Sequence, residues 1–239
     1  MKIITWNCQM AFRKKAENIL KYEPDILVIS ESEEKIDFSK HSKYPHQSIW
    51  VGENVNKGLL IASYNENYDI KISDLYNKDY KYVVPIEVTT KTEKFLLLAV
   101  WTQNTRNPFS SYIVQAYRAI NFYKELLDEK SIIIGDFNSN KIWDNKDKKE
   151  ANHSDFVSCL KSLNIKSLYH EITKCEQGKE DAPTLYLQRK IEKPYHIDYI
   201  FSGEFWLKNL EKLEIGNFDD WIIFSDHMPI IANFRNFKK

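Results

Sequence analysis

Two short polar segments stand out for the chemistry their side chains can do. Gly135-Asp136-Phe137-Asn138 follows the apolar run Ser131-Ile132-Ile133-Ile134, and Ser225-Asp226-His227-Met228-Pro229 precedes Ile230-Ile231-Ala232-Asn233-Phe234. A buried strand that empties into Asp plus Asn, or into Asp plus His, delivers polar side chains to a sheet edge, where open α/β folds place their sites. Asn7 closes Ile3-Ile4-Thr5-Trp6 in the same manner, and Glu31 closes Ile26-Leu27-Val28-Ile29-Ser30. Asp198 lies within His196-Ile197-Asp198-Tyr199-Ile200-Phe201. An acid among apolar neighbours needs a partner or a metal.

Glu31, Asp136, Asp198 and Asp226 are therefore four acids in or beside apolar strands. If they converge, mutual repulsion raises their pKa values or calls for a cation. An oxygen-only ligand set favours Mg²⁺ or Mn²⁺ over Zn²⁺. Asn7 and Asn138 add amides that can orient a water or a phosphate oxygen, and His227 can carry charge near neutral pH. Together these are the parts for metal-assisted attack of water on a phosphate ester. Each part has a plainer reading. Gly-Asp-x-Asn alone is commonly a turn. The patch Glu31-Ser32-Glu33-Glu34 suits a solvated helix start, and Asp198 can pair with an Arg or a backbone amide. Their joint occurrence outweighs any single member.

The elements that must position these residues form one continuous domain, 1–239. Strands are expected at Lys2–Cys8, Asp25–Ser30, Gly58–Ser63, Val83–Thr89, Phe95–Trp101, Ser131–Gly135, Tyr195–Phe201 and Ile230–Phe234. Helices are expected at Arg13–Tyr22, Ser111–Leu127 and Ser154–Leu163, the last with Ser154 as N-cap. Ser139–Asn152 and Cys175–Pro183 read as loops. The order implies two packed mixed sheets with helices outside. At 239 residues the chain can bury an ample core without disulfides. Cys8, Cys159 and Cys175 are odd in number and show no metal spacing, which fits reduced thiols in the cytoplasm. No membrane-length apolar stretch and no signal-peptide core are seen.

The chain is similar to the endonuclease/exonuclease/phosphatase superfamily, which includes DNase I, exonuclease III-type repair nucleases, sphingomyelinases and inositol phosphatases. Trp6-Asn7 resembles the family's first-strand motif, and Glu31 sits where the family has its metal-binding Glu. Gly135-Asp136-Phe137-Asn138 matches Gly-Asp-x-Asn. Asp198-Tyr199-Ile200-Phe201 matches Asp-Tyr-x-x, and Ser225–Pro229 matches Ser-Asp-His-x-Pro, the most specific of the set. Tyr112 resembles the active-site Tyr of the repair nucleases. The resemblance implies a four-layer α/β/β/α sandwich. One departure is Gln9, where repair nucleases often carry an Asp. The metal would then rest on Glu31, with Asp226 or Asn7 helping.

The implied mechanism gives Asp136 the water, with Asn138 and Asn7 fixing its line of attack. His227 would donate to the phosphate while Asp198 holds it charged. Metal-bound water or Tyr112 would stabilise the leaving oxygen. Trp143, Asn152, His153, Thr184 and Arg106 are candidates for contacting substrate. Arg13-Lys14-Lys15 and Arg118 can reach phosphates or lie on helix surfaces, and Tyr186 can line the groove or pack in the core. Nucleic acid, held with modest affinity by a monomer, is the expected partner, as for the exonuclease III and AP endonuclease type. Zero net charge weakens a duplex substrate without excluding it. A phosphatase or a phosphodiesterase of a lipid or small molecule has the same chemistry. A non-catalytic nucleic-acid-binding module is the third reading, for which only Gln9 speaks.

Overall fold

The computed structural model describes residues 1–105, 112–145 and 150–235. In chain order it runs β1 (Lys2–Asn7), α1 (Ala16–Leu20), β2 (Ile26–Ser32), β3 (Gln47–Asn54), β4 (Lys57–Ser63), β5 (Asp69–Ile72), β6 (Val83–Thr89) and β7 (Lys94–Trp101). It continues with α2 (Ile113–Tyr123), β8 (Ile132–Asp136), α3 (His153–Ser162), β9 (Lys166–Ser167), α4 (Leu168–Thr173), β10 (Leu185–Tyr186) and β11 (Pro194–Tyr195). β12 (Asp198–Ser202), α5 (Glu204–Asn209), β13 (Leu210–Ile215), α6 (Phe218–Trp221) and β14 (Ile230–Phe234) complete it.

Two six-stranded mixed sheets carry the order β13-β14-β1-β2-β4-β3 and β5-β6-β7-β8-β12-β9. Alternation along the strands sorts their side chains into three apolar layers. Ile132 and Ile134 of β8 face the layer between the sheets with Ile3, Ile26 and Val28, while Ile133 faces outward to Phe156 and Ile120 under α2 and α3. On the other sheet Ile4 and Trp6 face outward to Ile19 of α1 and Trp221 of α6. The result is the expected α/β/β/α sandwich. The central strands, buried on both faces, read as near-continuous apolar runs.

The expected strand Tyr195–Phe201 divides into β11 and β12, because Thr184 takes the amides of Ile197 and Asp198 at the break. Arg13–Tyr22 is a 3₁₀ turn, Phe12–Lys14, followed by the short α1. The N-cap of α3 is Asn152 rather than Ser154, and Asn152 N donates to Asp155 Oδ2 at 2.8 Å in a capping box. Glu33 is not solvated. It is buried and accepts the amides of Phe12 and Arg13, pinning the turn that follows β1.

Candidate active site

The two strands that matter most lie side by side in one sheet, with Asp198 of β12 directly opposite Asp136 of β8. In the other sheet β1 and β2 run parallel and place Asn7 opposite Ser30. Both pairs end at the same rim, so Asn7 Nδ2 crosses between sheets to Asp136 Oδ2 at 2.9 Å and reaches Glu31 Oε1, in its own sheet, at 3.3 Å.

Gly135 makes the end of β8 possible. Its φ is +145°, and a Cβ there would stand 1.8 Å from the Val100 carbonyl oxygen of β7. No side chain fits, which is why Gly precedes Asp136. Past Asp136 the chain folds back. Asn138, at φ 46°, donates its backbone amide to Asp136 Oδ1 at 2.8 Å and its side-chain amide to Asp136 Oδ2 at 2.9 Å. A second bond from that amide to the Thr102 carbonyl, also 2.9 Å, fixes its orientation.

His227 reaches the site from the segment ahead of β14. Ser225 Oγ donates to the Asn7 carbonyl at 2.7 Å and accepts the His227 amide at 3.0 Å. Trp6 Nε1 donates to the His227 carbonyl at 2.9 Å. The imidazole then lies with Nδ1 2.9 Å from Asp198 Oδ2. Thr184 is the hub of this arrangement. Its hydroxyl accepts the amides of Ile197 and Asp198 at 2.9 and 3.0 Å, and its carbonyl accepts Met228 N at 2.7 Å.

Electrostatics follow from burial. Asp136, Asp198 and His227 are all buried. Removal from water, and then the nearby Asp198 charge, push the Asp136 carboxyl up to about 7 against the pull of His227 and its amide donors. Burial alone would depress His227. The field and hydrogen bond of Asp198, with Asp136 and Asp226 behind it, outweigh that and hold the imidazole protonated up to about 10. The cluster is thus an imidazolium set between carboxylates, one of which is poised near neutrality.

The ligand atoms of Asp136, Asp198 and His227 lie within 4.8 Å of one another, a spacing a metal ion could bridge. Asp198 Oδ1 is buried and has no hydrogen-bond partner among the described residues. The donor chemistry nevertheless suits a cation poorly. His227 Nδ1 is already engaged by Asp198 and both acids are buried, whereas Mg²⁺ keeps several waters. Glu31 fits better. A bulge between Ser30 and Ser32 turns it out of the ladder at φ 63°. Its carboxylate is 17% exposed and already holds a cation, the Lys57 ammonium at 3.2 Å from Oε1. Asn7 faces Glu31 through its NH₂, while Asn7 Oδ1 accepts Gln9 N, so Asn7 bridges the two acids as it stands. The Asp226 carboxylate is not among the converging ligand atoms. It adds to the field at His227, and its carbonyl accepts Tyr186 N.

The remaining candidates separate by burial. Tyr112, 40% exposed and at the head of α2, lines the clefts on both sides of Asn138. Trp143, half exposed, packs on Tyr195 at 5.1 Å and walls a cleft of about 820 Å³. Asn152 and His153 line the same cleft, but they and Thr184 have their polar atoms engaged within the protein. His153 is a buried strut, its nitrogens engaged by Ser139 Oγ and Gln177 Oε1, and burial pushes it down to about 4. Asn152 spends its side chain on Asn145 and the cap of α3. Thr184 is fully buried and positions Asp198 instead of touching substrate. Arg106 lies outside the described residues. Arg13 pairs with Glu33, Arg118 with Glu150, and Lys15 caps the Cys8 and Gln9 carbonyls. Tyr186 packs against Phe218. The sequence gives no signal for Ser225 as a tether, for Thr102, or for Lys57 beside Glu31.

No protein-family model and no curated protein matches the sequence. Solved structures do match in shape. An AP endonuclease from Leishmania major superposes with a TM-score of 0.71 at 12% identity, covering 98% of this chain and 87% of that one. A 3'-5' exonuclease from Neisseria meningitidis gives 0.67 at 17% identity over 98% and 99%. A humanized D. rerio TDP2 gives 0.68 at 15% identity over 99% of each chain. This chain shares the fold of these structures. At these identities the likeness is one of architecture, and the chemistry rests on the side chains described above.

Proposed function

We propose that this chain is a divalent-cation-dependent phosphodiesterase acting on nucleic acid. One observation carries the reading. The buried, charge-linked group of Asp136, Asp198 and His227 is bridged to Glu31 by Asn7 at the shared rim of both sheets. Burying two acids beside a histidine is costly unless their charges are used.

Glu31 would hold Mg²⁺ or Mn²⁺, which when bound would polarise a phosphoryl oxygen and neutralise charge at phosphorus, and Asn7 would have to turn its oxygen from Gln9 N to assist. Asp136 accepts the proton of the attacking water, a role suited to a carboxyl near 7. Its carboxylate lies beneath the Asn7 and Asn138 amides, so the water reaches it by displacing one of them. The remaining amide then fixes the line of attack. His227 donates from Nε2 to a phosphate oxygen, and Asp198 keeps that proton in place. Tyr112, on the cleft beside Asn138, would stabilise the leaving oxygen. The Trp143–Tyr195 wall offers an aromatic face to a nucleotide base. The three free thiols suit a cytoplasmic setting.

Turnover of abasic duplex, intact duplex, single strand, phosphomonoester and lipid phosphoester, with Mg²⁺ and with chelator, tests the reading. Chelator-sensitive cleavage of at least one nucleic acid is expected. Binding of DNA by the Asp136→Asn protein should weaken only gently with salt, each neutralised phosphate adding about 0.9 to the log–log slope for duplex. Turnover confined to a soluble phosphoester would replace the nuclease reading with a phosphatase. Full activity in excess chelator would remove the cation from the mechanism.

A further inference from the structure

Lys57 opens β4, the strand paired with β2 at the Glu31 bulge. Its place is built, not incidental. Trp50 donates Nε1 to the Ser32 carbonyl at 3.0 Å, holding the far side of the bulge. The same indole lies over Gly58, where a Cβ would stand 2.4 Å from its ring. Chain direction at the start of β4 is thereby fixed, and the Lys57 side chain crosses from its own sheet to the other. Its ammonium stands 5.5 Å over the ring of Trp101, at the end of β7, and 3.2 Å from Glu31 Oε1. The Lys57 side chain is 39% exposed and lines the cleft that Glu31 shares with Asn138 and Tyr112.

Two cations cannot both sit against one carboxylate oxygen at close range without repelling each other strongly. Arrival of a divalent ion at Glu31 must therefore release the ammonium. A lysine stem is flexible, and its charge is a compact, strongly hydrated point. The Trp101 face tethers it at the cleft floor, so the released charge stays where a phosphate must lie to meet Asn138 and His227. We propose that Lys57 is a resident counter-ion of Glu31 that the divalent cation displaces, and that the displaced ammonium then binds a non-bridging oxygen of the substrate phosphate. This rests on the reading that Glu31 holds the cation. It adds a phosphate ligand from this chain, whose binding is coupled to the arrival of the metal.

The experiment pairs calorimetric titration of the folded protein with Mn²⁺, without substrate, with steady-state turnover at saturating Mn²⁺. Lys57→Met keeps the stem over Trp101 and removes the charge, Lys57→Gln repeats the loss with a polar end, and Lys57→Arg keeps a cation. Both neutral variants should bind Mn²⁺ about tenfold or more tighter, because a tethered like charge no longer competes. The same two variants should turn over about tenfold or more slowly at saturating Mn²⁺, with an electrostatic donor to the phosphate removed. Lys57→Arg should stay near the parent in both. Unchanged Mn²⁺ affinity, or unchanged turnover, in either folded neutral variant overturns the proposal. Glu31→Gln separates the two levels. If it leaves Mn²⁺ binding intact, the placement of the cation has failed. If it abolishes binding while the Lys57 variants do nothing, only the role of Lys57 has failed.

Discussion

Replacing Asp198 with Asn tests whether His227 works as a charged group. Asp198 Oδ2 lies 2.9 Å from His227 Nδ1 and is the main source of the field that carries the imidazole from 6.5 to about 10 despite its burial. The Asn side chain keeps the shape and one hydrogen bond but not the charge. Without the carboxylate, burial is opposed only by Asp136 and Asp226, and His227 returns to 6.5 or below. At about pH 8.5 the parent histidine is then nearly all protonated and the variant's only about 1% so, a deficit of roughly two orders of magnitude from protonation alone. At about pH 6 the variant recovers most of its charge if its value is near 6.5, so the deficit shrinks by at least about tenfold. The same substitution relieves Asp136 of a like charge, and its acid limb moves below about 7. The assay is kcat/KM against pH on the best phosphodiester, at saturating cation, for both proteins. The whole profile should move toward acid. A uniform drop with both limbs in place would refute the reasoning and leave Asp198 as a shape-keeping residue only.

Three further outcomes follow from the same geometry. Asp136→Asn removes the proton acceptor while preserving a side chain that can meet Asn7, and should cost about two or more orders of magnitude in turnover with little change in melting temperature. Cation-free stability should fall as pH rises. His227 keeps in the fold a proton that the unfolded chain releases above 6.5, so its contribution is complete below 6.5 and lost as pH climbs to about 10. Asp136 acts in the same direction between 3.8 and about 7. Denaturant midpoints across that range should decline, by an amount on the order of a few kcal/mol in all, and a rising curve would contradict the assigned charges. Gly135→Ala places a methyl group against the Val100 carbonyl oxygen and forces a side chain into φ +145°. It should destabilise the protein by about 3 kcal/mol or more, measured by chemical unfolding, and near-parent stability would mean that β8 can shift relative to β7.

What sequence could and could not reveal divides along the sheets themselves. Apart from β11, the strands recognised in advance lie inside the two large sheets, where both faces are mostly buried and the runs mostly apolar. The edge strands, β13 and β3 of one sheet and β5 and β9 of the other, escaped recognition. Gln47–Asn54 and Leu210–Ile215 are mostly half-exposed along their length and carry Glu, Lys or Asn where solvent meets the ladder, so their hydrophobic signal is broken. The site divides the same way. Asp136, Asn138, Asp198 and His227 close or open central strands, and their polarity stands out against apolar neighbours. Thr184, Ser225 and Lys57 do their work by reaching across the fold. Thr184 joins residues 13 and 14 positions away, Ser225 one 218 positions away, and Lys57 touches a carboxylate on a neighbouring strand. A threonine or a lysine in a local run carries no mark of such a partner. The same holds for residues whose polar atoms turn out to be engaged. His153 and Asn152 have the right types for binding substrate, but Ser139 and Gln177 engage the ring nitrogens of the one, and Asn145 and a helix cap the amide of the other. Residue type near a motif therefore predicts which groups can do chemistry, and only the closed hydrogen-bond account of each side chain decides which ones are free to do it.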